Sequence, residues 1–431
     1  MLRRLADDCA TVPRLWLGSF ISMDILLPII IYLHMFKSSV RLALGLLVIW
    51  LAWRLMLPVI EERDKIFSLQ PSHFYRFLSL GLLLVNTRLI VLREDKAGPT
   101  QFLLIALGLA VAYVFTHCQW KHALSWIGLA ALPLFSFFAQ AAWRMHLSLD
   151  FSTVATLYDS FCKGHGGINR FATLTLIITV AAWYSARLSS QKLCKVILYV
   201  SALLGYLLCL GTGSRASAIG VPVALFAAFL VRRYYHVNNK IKFIAAFSAI
   251  SLVACFCLYW YVLGADALQN RQSDAIRMQA SLCWISMMFH GENGVLFGIG
   301  FGSARANQLC YSIKDFEGKL GSIGHAHNTF AQIAGHHGVL GLLAIVIFVL
   351  LIVVGLRNQL RLPASSALGP DDATLAFFEA SLGVNLAILL NAMATTVYIS
   401  NHLNQVLIGV LAAMALSSSR LPAPAGAQAS P

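Results

Sequence analysis

Apolar runs long enough to cross a lipid bilayer recur at about 15–36, 38–59, 73–92, 100–118, 120–143, 171–188, 194–213, 216–231, 243–264, 339–356, 375–396 and 402–419. This recurrence limits the fold more than any motif does. With no water to satisfy it, a backbone in hydrocarbon closes its own hydrogen bonds, and a run of about 20 residues does so as a helix. The expected fold class is therefore all-α: a polytopic membrane protein with about twelve transmembrane helices. Composition agrees, because 12% charged against 58% hydrophobic residues excludes an ordinary soluble enzyme, whose charged fraction is about a quarter. Met1–Arg14 carries Arg3 and Arg4 beside Asp7 and Asp8. No small-residue cleavage site follows the first apolar run, so the first helix reads as an uncleaved anchor.

Short loops rich in Lys and Arg stay cytoplasmic. Arg3/Arg4/Arg14, Arg63/Lys65, Lys121, Arg187/Lys192/Lys195, Arg232/Arg233/Lys240/Lys242 and Arg357/Arg361 all fall on one side of a twelve-helix plan. Both termini are then cytoplasmic. The expected division is 1–264 with nine helices, an outward loop 265–338, 339–420 with three more helices, and a disordered tail 421–431.

The formal charge of +14 exceeds what that rule absorbs. Arg41, Arg93, Lys96, Arg144, Lys163, Arg170, Arg215, Arg271, Arg277, Arg305, Lys314 and Lys319 lie on the outward side. Each cation near a membrane attracts anionic head groups by about 1 kcal/mol, and a guanidinium grips phosphate oxygens in pairs. The excess points to membrane lipids and a membrane-borne phosphorylated partner, with no nucleic acid required. Anchoring of helix ends among lipid phosphates is the plainer reading of any single arginine.

Nine cysteines include no Cys-x-x-Cys pair. Cys162, Cys283 and Cys310 are the ones that reach an oxidising side, which leaves room for one disulfide of unassigned pairing. The nearest approach to a metal site is His325/His327 with His336/His337, without a carboxylate at metalloprotease spacing. No metal is expected. Outward Asp-x-Asp pairs are absent from the sequence, and Asp371-Asp372 falls on the cytoplasmic side, so a metal-bound nucleotide-sugar site is unsupported.

Two outward loops are long, 144–170 and 265–338, and long loops tend to carry function. The second contains QASLCWISMMF (279–289), which reads as an amphipathic helix with Met278, Leu282, Ile285 and Phe289 on one stripe, lying along the membrane face. GVLFGIGFGS (294–303) alternates glycine with bulky residues; close packing fits it better than a phosphate loop, since no Gly-Lys-Ser/Thr follows.

Gly324–Leu342, GHAHNTFAQIAGHHGVLGL, gathers four histidines and four glycines in an otherwise apolar chain. His327 precedes a helix expected to begin at Asn328, with Gly335 and Gly338 breaking it. An imidazole of reference pKa about 6.5 can take a proton from a sugar hydroxyl at neutral pH, worth about 10²- to 10⁴-fold. Hydrogen-bonded capping of the helix is the structural reading of the same residue. His336 and His337 read more readily as packed side chains than as a second base. Arg215 ends the run LLCLGTGSR, where deeper placement would cost about 2.5–3.5 kcal/mol. Gly211, Gly213 and Ser214 are expected to leave backbone N–H groups open to a diphosphate oxygen beside it. Arg271 and Arg277 could close on the same anion.

These residues resemble a known family. His327-Asn328, nine residues, then Gly338-Val-Leu-Gly341 is similar to the signature of O-antigen ligases, membrane glycosyltransferases that complete lipopolysaccharide. GTGSRAS (211–217) resembles the Gly-Ser-Arg motif of that superfamily, Arg277 with LFGIGFG (296–302) its Arg and Gly-x-Gly-x-Gly segment, and INRFA (168–172) more weakly its Asn-rich turn. The resemblance implies a GT-C-like fold. It also implies transfer of O-antigen from undecaprenyl diphosphate to a hydroxyl of lipid A-core oligosaccharide, at the periplasmic face of the inner membrane, with no cofactor, metal or ATP. On matching positions, Arg215 and Arg277 hold the donor diphosphate and His327 activates the acceptor, with Arg271, Arg170, Arg41, His325, His337 and Asn328 as further substrate contacts. His325 and His337 stand close enough to the motif to compete with His327 as base.

O-antigen polymerases share these pieces. Protein oligosaccharyltransferases do too, although the expected division includes no large C-terminal periplasmic domain. A lipid or anion transporter is the alternative of another class, with Asp24, Asn86, Arg88, Asn385 and Asn391 lining a path. No internal repeat supports it.

Overall fold

The computed structural model describes residues 23–36, 39–61, 120–147, 153–162, 168–189, 191–236, 267–290, 294–299, 326–360, 372–393 and 402–416. Every element among them is helical. After a 3₁₀ turn at Met23–Ile25 come α1 (Leu26–His34), α2 (Val40–Glu61), α3 (Trp120–Leu129), α4 (Ala131–Arg144), α5 (Thr153–Cys162), α6 (Ile168–Leu188) and α7 (Lys192–Gly211). Then follow α8 (Arg215–His236), α9 (Ala267–His290), α10 (Gly294–Phe297), α11 (Thr329–Leu360), α12 (Asp372–Ala392) and α13 (His402–Leu416).

Among the described residues six segments are long and apolar enough to cross a membrane: Ala123–Arg144, Ile168–Leu188, Lys192–Gly211, Ala216–Tyr234, Thr329–Gln359 and Leu375–Ala392. Each coincides with an expected run. Met23–His34, Val40–Trp53 and Val406–Ala415 are shorter apolar helices within three further expected runs. The runs at 73–92, 100–118 and 243–264 lie outside the described residues. The chain is a membrane protein of all-α class.

α6 is the spine. Its most apolar 18-residue stretch is 83% buried, and accordingly the middle of the helix is apolar or small on every side. Its threonine hydroxyls are returned to its own backbone, Thr173 to the Asn169 carbonyl at 3.0 Å, Thr175 to that of Ala172 at 3.0 Å and Thr179 to that of Thr175 at 2.7 Å, which satisfies them within the helix. Three neighbours meet it through glycine. A β-carbon at Gly128 of α3 would lie 2.6 Å from the Ala182 backbone, one at Gly205 of α7 would lie 2.8 Å from Thr179 Oγ1, and one at Gly383 of α12 would overlap Tyr184. Small residues at such crossings let helix backbones approach where no hydrophobic force drives them together.

Prolines set the irregularities. Pro133 has no N–H to give the Leu129 carbonyl, and the first long described segment breaks there into α3 and α4. Pro222 inside α8 likewise frees the Ala218 carbonyl, which the Tyr206 hydroxyl of α7 satisfies at 3.1 Å.

Cross-links show which helix ends lie together. At one end Glu379, near the start of α12, accepts from Arg187 at the end of α6 (2.8 Å) and from Arg232 near the end of α8 (2.9 Å). At the other, Asn391 near the end of α12 donates to Thr173 near the start of α6 (3.2 Å). Asn328, just before α11, donates to the Met393 carbonyl (2.9 Å). Gly220, five residues into α8, sits against Leu390, so the starts of α6, α8 and α11 share the end of α12. A string of rings, Phe36–Phe137 (5.0 Å), Phe137–Phe161 (5.8 Å), Phe137–Phe138 (5.4 Å) and Phe138–Phe171 (5.2 Å), brings the α1–α2 turn, α4 and α5 to that same level. These are the His327 end and the Glu379 end of the bundle.

Candidate functional site

His327 stands two residues ahead of α11, between buried Ala326 and half-buried Asn328. Its backbone is left-handed, φ 52°, which costs a residue with a β-carbon about 1–2 kcal/mol. Both flanks are held. The Ser281 hydroxyl, from α9, donates to the Ala326 carbonyl at 2.7 Å. On the other side Asn328 caps α11: its Oδ1 accepts from the Phe330 and Ala331 amides at 2.9 and 3.1 Å, two of the donors a helix start leaves unpaired. Its Nδ2 meets Met393. The side chain expected to touch substrate is thereby engaged in fixing the histidine loop to α11 and α12.

The floor beneath this loop is a small apolar cluster of Ala280, Cys283, Trp284, Met287, Ile299, Ala326 and Ala331, separate from the main core. α11 kinks at Gly338 (φ 61°, ψ −153°), as its glycine suggested. α10 docks into the kink. The Ile299 amide donates to the Gly335 carbonyl at 2.9 Å, and Gly298 (φ 67°) lies against Gly338 so closely that a β-carbon on either would come within 2.7 Å of the other's backbone nitrogen. Close packing is what Gly298, the first glycine of the Gly-x-Gly pattern, does here. Trp284 completes the floor, under Gly335 and edge-on to the His336 ring at 4.7 Å.

His336 and His337 are 2% and 1% exposed. His337, expected as a further substrate contact, packs beneath Gly341 in the kinked helix. His325 lies outside the described residues, which leaves His327 as the described candidate base.

Arg215 is the first residue of α8. The turn before it is closed by its own bonds: the Gly213 amide (φ 67°) donates to the Leu210 carbonyl at 3.0 Å and the Ser214 amide to Thr212 Oγ1 at 3.2 Å. Those N–H groups, expected to be open to a diphosphate oxygen, are therefore occupied. What remains for an anion is the first turn of α8, where amides lack helical partners and the helix dipole is positive. Val154 of α5 packs on Gly211, so the first long loop folds back over this turn.

Arg170, the third residue of α6, is half-buried beside the stacked Tyr158–Phe171 pair (5.1 Å). Arg41, the second residue of α2, is exposed. Both are at the His327 end. In α9 the helical register separates the two remaining arginine positions. Residue 277 falls on the stripe of Ser281, Trp284 and Met288, which meets the histidine loop and α11. Residue 271 falls on the stripe of Met278, Leu282, Ile285 and Phe289. Those four apolar residues are exposed, as suits a face turned to lipid.

The polar residues considered for a transport path are engaged within the bundle. Asp24 accepts from Trp50 Nε1 at 2.9 Å, Asn385 donates to the Ser381 carbonyl at 2.8 Å, and Asn391 donates to Thr173. Asn86 and Arg88 lie outside the described residues. No group of three His, Cys, Asp or Glu side chains able to hold a metal ion occurs among the described residues.

Ser281 and Trp284 were not singled out from sequence. The signal was present in their spacing from Arg277, four and seven residues on, which aligns all three on one helical face. Cys283, between them, is disulfide-bonded.

The family model described as O-antigen ligase matches residues 199–346. That stretch runs from α7 through Arg215, α9 and the His327 loop into α11, and the match agrees with the superfamily the motifs resemble. None of the curated proteins matches the chain.

Proposed function

We propose, from the O-antigen ligase match over 199–346, that this chain is a metal-independent glycosyltransferase of the inner membrane. It would join O-antigen from undecaprenyl diphosphate to a lipid A-core hydroxyl at the periplasmic face. In this reading about twelve helices form a GT-C-like body. The observation that carries it is convergence: the starts of α8 and α11, bearing Arg215 and His327, share one end of the bundle, and α9 is bonded to the histidine loop from the face on which residue 277 falls. A disulfide at Cys283 fits an oxidising compartment on that side.

The chemistry follows from the groups. His327 accepts the proton of the acceptor hydroxyl as its oxygen attacks the anomeric carbon of the donor sugar. The bond from that carbon to the diphosphate oxygen breaks, and the diphosphate leaves with both electrons. Arg215 and Arg277, with the dipole at the start of α8, carry the charge that develops on it. Attack opposite the leaving group inverts the anomeric centre. Arg170 and Arg41 belong to the rim that attracts the anionic lipids.

The test is a reconstituted assay with undecaprenyl-diphosphate glycan and lipid A-core, comparing wild type with Arg215→Ala, Arg277→Ala and His327→Ala. His327→Ala is expected to lower transfer about 10²- to 10⁴-fold, and each arginine variant to lower it with a weaker grip on donor. Full transfer by all three removes the site assignment. Growth of the donor glycan with none reaching core makes the enzyme a polymerase, which shares the donor chemistry.

A further inference from the structure

We infer that Ser281 is a positioning residue for His327. The inference rests on the reading of His327 as base and adds a residue that no motif contains. Ser281 lies 45 positions before Ala326, yet its hydroxyl donates to the Ala326 carbonyl at 2.7 Å. That carbonyl shares a rigid peptide plane with the His327 nitrogen, so holding it fixes one of the two planes that meet at the histidine α-carbon. Asn328 holds the residue on the far side through its cap and its bond to Met393. Between those two anchors the left-handed φ of 52° is imposed rather than chosen.

Ala326 is fully buried, and a buried carbonyl deprived of its donor turns toward any other donor it can find. In Ser281→Ala the peptide plane is released, the histidine backbone relaxes toward a negative φ, and the imidazole leaves its working place. A displacement of about 1 Å is enough to lower a rate about a hundredfold. Because α9 also carries position 277 on the same stripe, the bond from Ser281 keeps the diphosphate-binding helix and the base in mutual register.

The experiment measures steady-state transfer from undecaprenyl-diphosphate glycan to lipid A-core with full-length protein in proteoliposomes. Ser281→Ala is expected to lower kcat about tenfold to a hundredfold, with KM for donor unchanged and the unfolding midpoint in detergent lowered only by the loss of one buried hydrogen bond. Ser281→Thr, which keeps the hydroxyl, is expected to retain more than half of wild-type kcat. In the His327→Ala background, Ser281→Ala is expected to have no further effect, because the group it positions is gone. Wild-type kcat in Ser281→Ala, a threonine variant as slow as alanine, or a loss that multiplies with that of His327→Ala each overturns the inference. Loss in His327→Ala with none in Ser281→Ala rejects the positioning role alone. Undiminished transfer by His327→Ala rejects the base, and the positioning role with it.

Discussion

The two ends of the bundle hold their polar residues in opposite ways. At the Glu379 end a carboxylate only 3% exposed takes one guanidinium from α6 and another from α8, and Gln359 of α11 donates to the Met414 carbonyl near the end of α13 at 2.7 Å. That carboxylate is paired twice over and helices are tied. At the His327 end, the bonds that hold the histidine loop go to backbone: Ser281 to Ala326, Asn328 to α11 and to Met393. What is fixed is the shape of the chain, with left-handed backbone at Gly213, Gly298, His327 and Gly338. Strain of this kind persists where surroundings over-determine it, and it gathers at functional sites. The contrast predicts that damage to one end removes stability while damage to the other removes turnover.

Gly338→Ala is the strongest way to break that contrast, since it strikes the His327 end through its scaffold. A β-carbon there meets backbone atoms of Val295, Leu296 and Gly298, none of which can swing away, and φ 61° with ψ −153° is open only to glycine. A loss of about 3 kcal/mol or more is expected from strain and overlap together, read as a lower unfolding midpoint, with transfer falling as α10 leaves the kink. A variant that melts early yet keeps wild-type kcat would make the kink pure scaffold.

Glu379→Ala comes next and tests the opposite end. It leaves two guanidiniums facing each other without their carboxylate. Fully buried pairs lose about 3–5 kcal/mol in this way. Arg187 and Arg232 are 28% and 16% exposed, so water offsets part of the loss and about 2 kcal/mol is expected. The midpoint should drop while kcat of the folded protein stays at wild type. A fall in kcat without a fall in midpoint would reverse the assignment of the two ends.

The sequence carried the helices because bilayer thickness and backbone satisfaction leave an apolar run one form to take. Residues within a single element were equally legible: His327 beside a helix start, the break at Gly338, the apolar stripe of α9. Asn328 before an apolar run was a readable cap signal, although the motif drew it toward substrate. Contacts that span the chain were not legible. Ser281 reaches Ala326 over 45 positions and Glu379 reaches Arg187 over 192; a serine or glutamate in a helix looks the same whether its partner is there or not. The amides of Gly213 and Ser214 were misjudged for a related reason. Glycine-rich sequence announces exposed backbone, but whether a turn closes on its own carbonyls depends on dihedral angles that composition does not encode.

The smallest expected effect separates two histidines that share one rare backbone conformation. His146, like His327, has φ 52°, yet it sits just past α4 where its amide donates to the Trp143 carbonyl at 3.1 Å and that of Leu147 to the Ala142 carbonyl at 3.0 Å. This is the Schellman arrangement, which favours glycine at that position. The side chain is exposed, and its strain comes from ending a helix. His146→Gly should therefore raise the unfolding midpoint slightly, by about 0.5 kcal/mol after the greater freedom of glycine in the unfolded chain is subtracted, with transfer unchanged. His327→Gly relieves the same strain but removes the imidazole, so its midpoint should hold or rise while transfer falls about 10²- to 10⁴-fold. Equal behaviour of the two variants, both active or both inactive, would mean that the left-handed backbone at His327 is a helix-end accident like the one at His146.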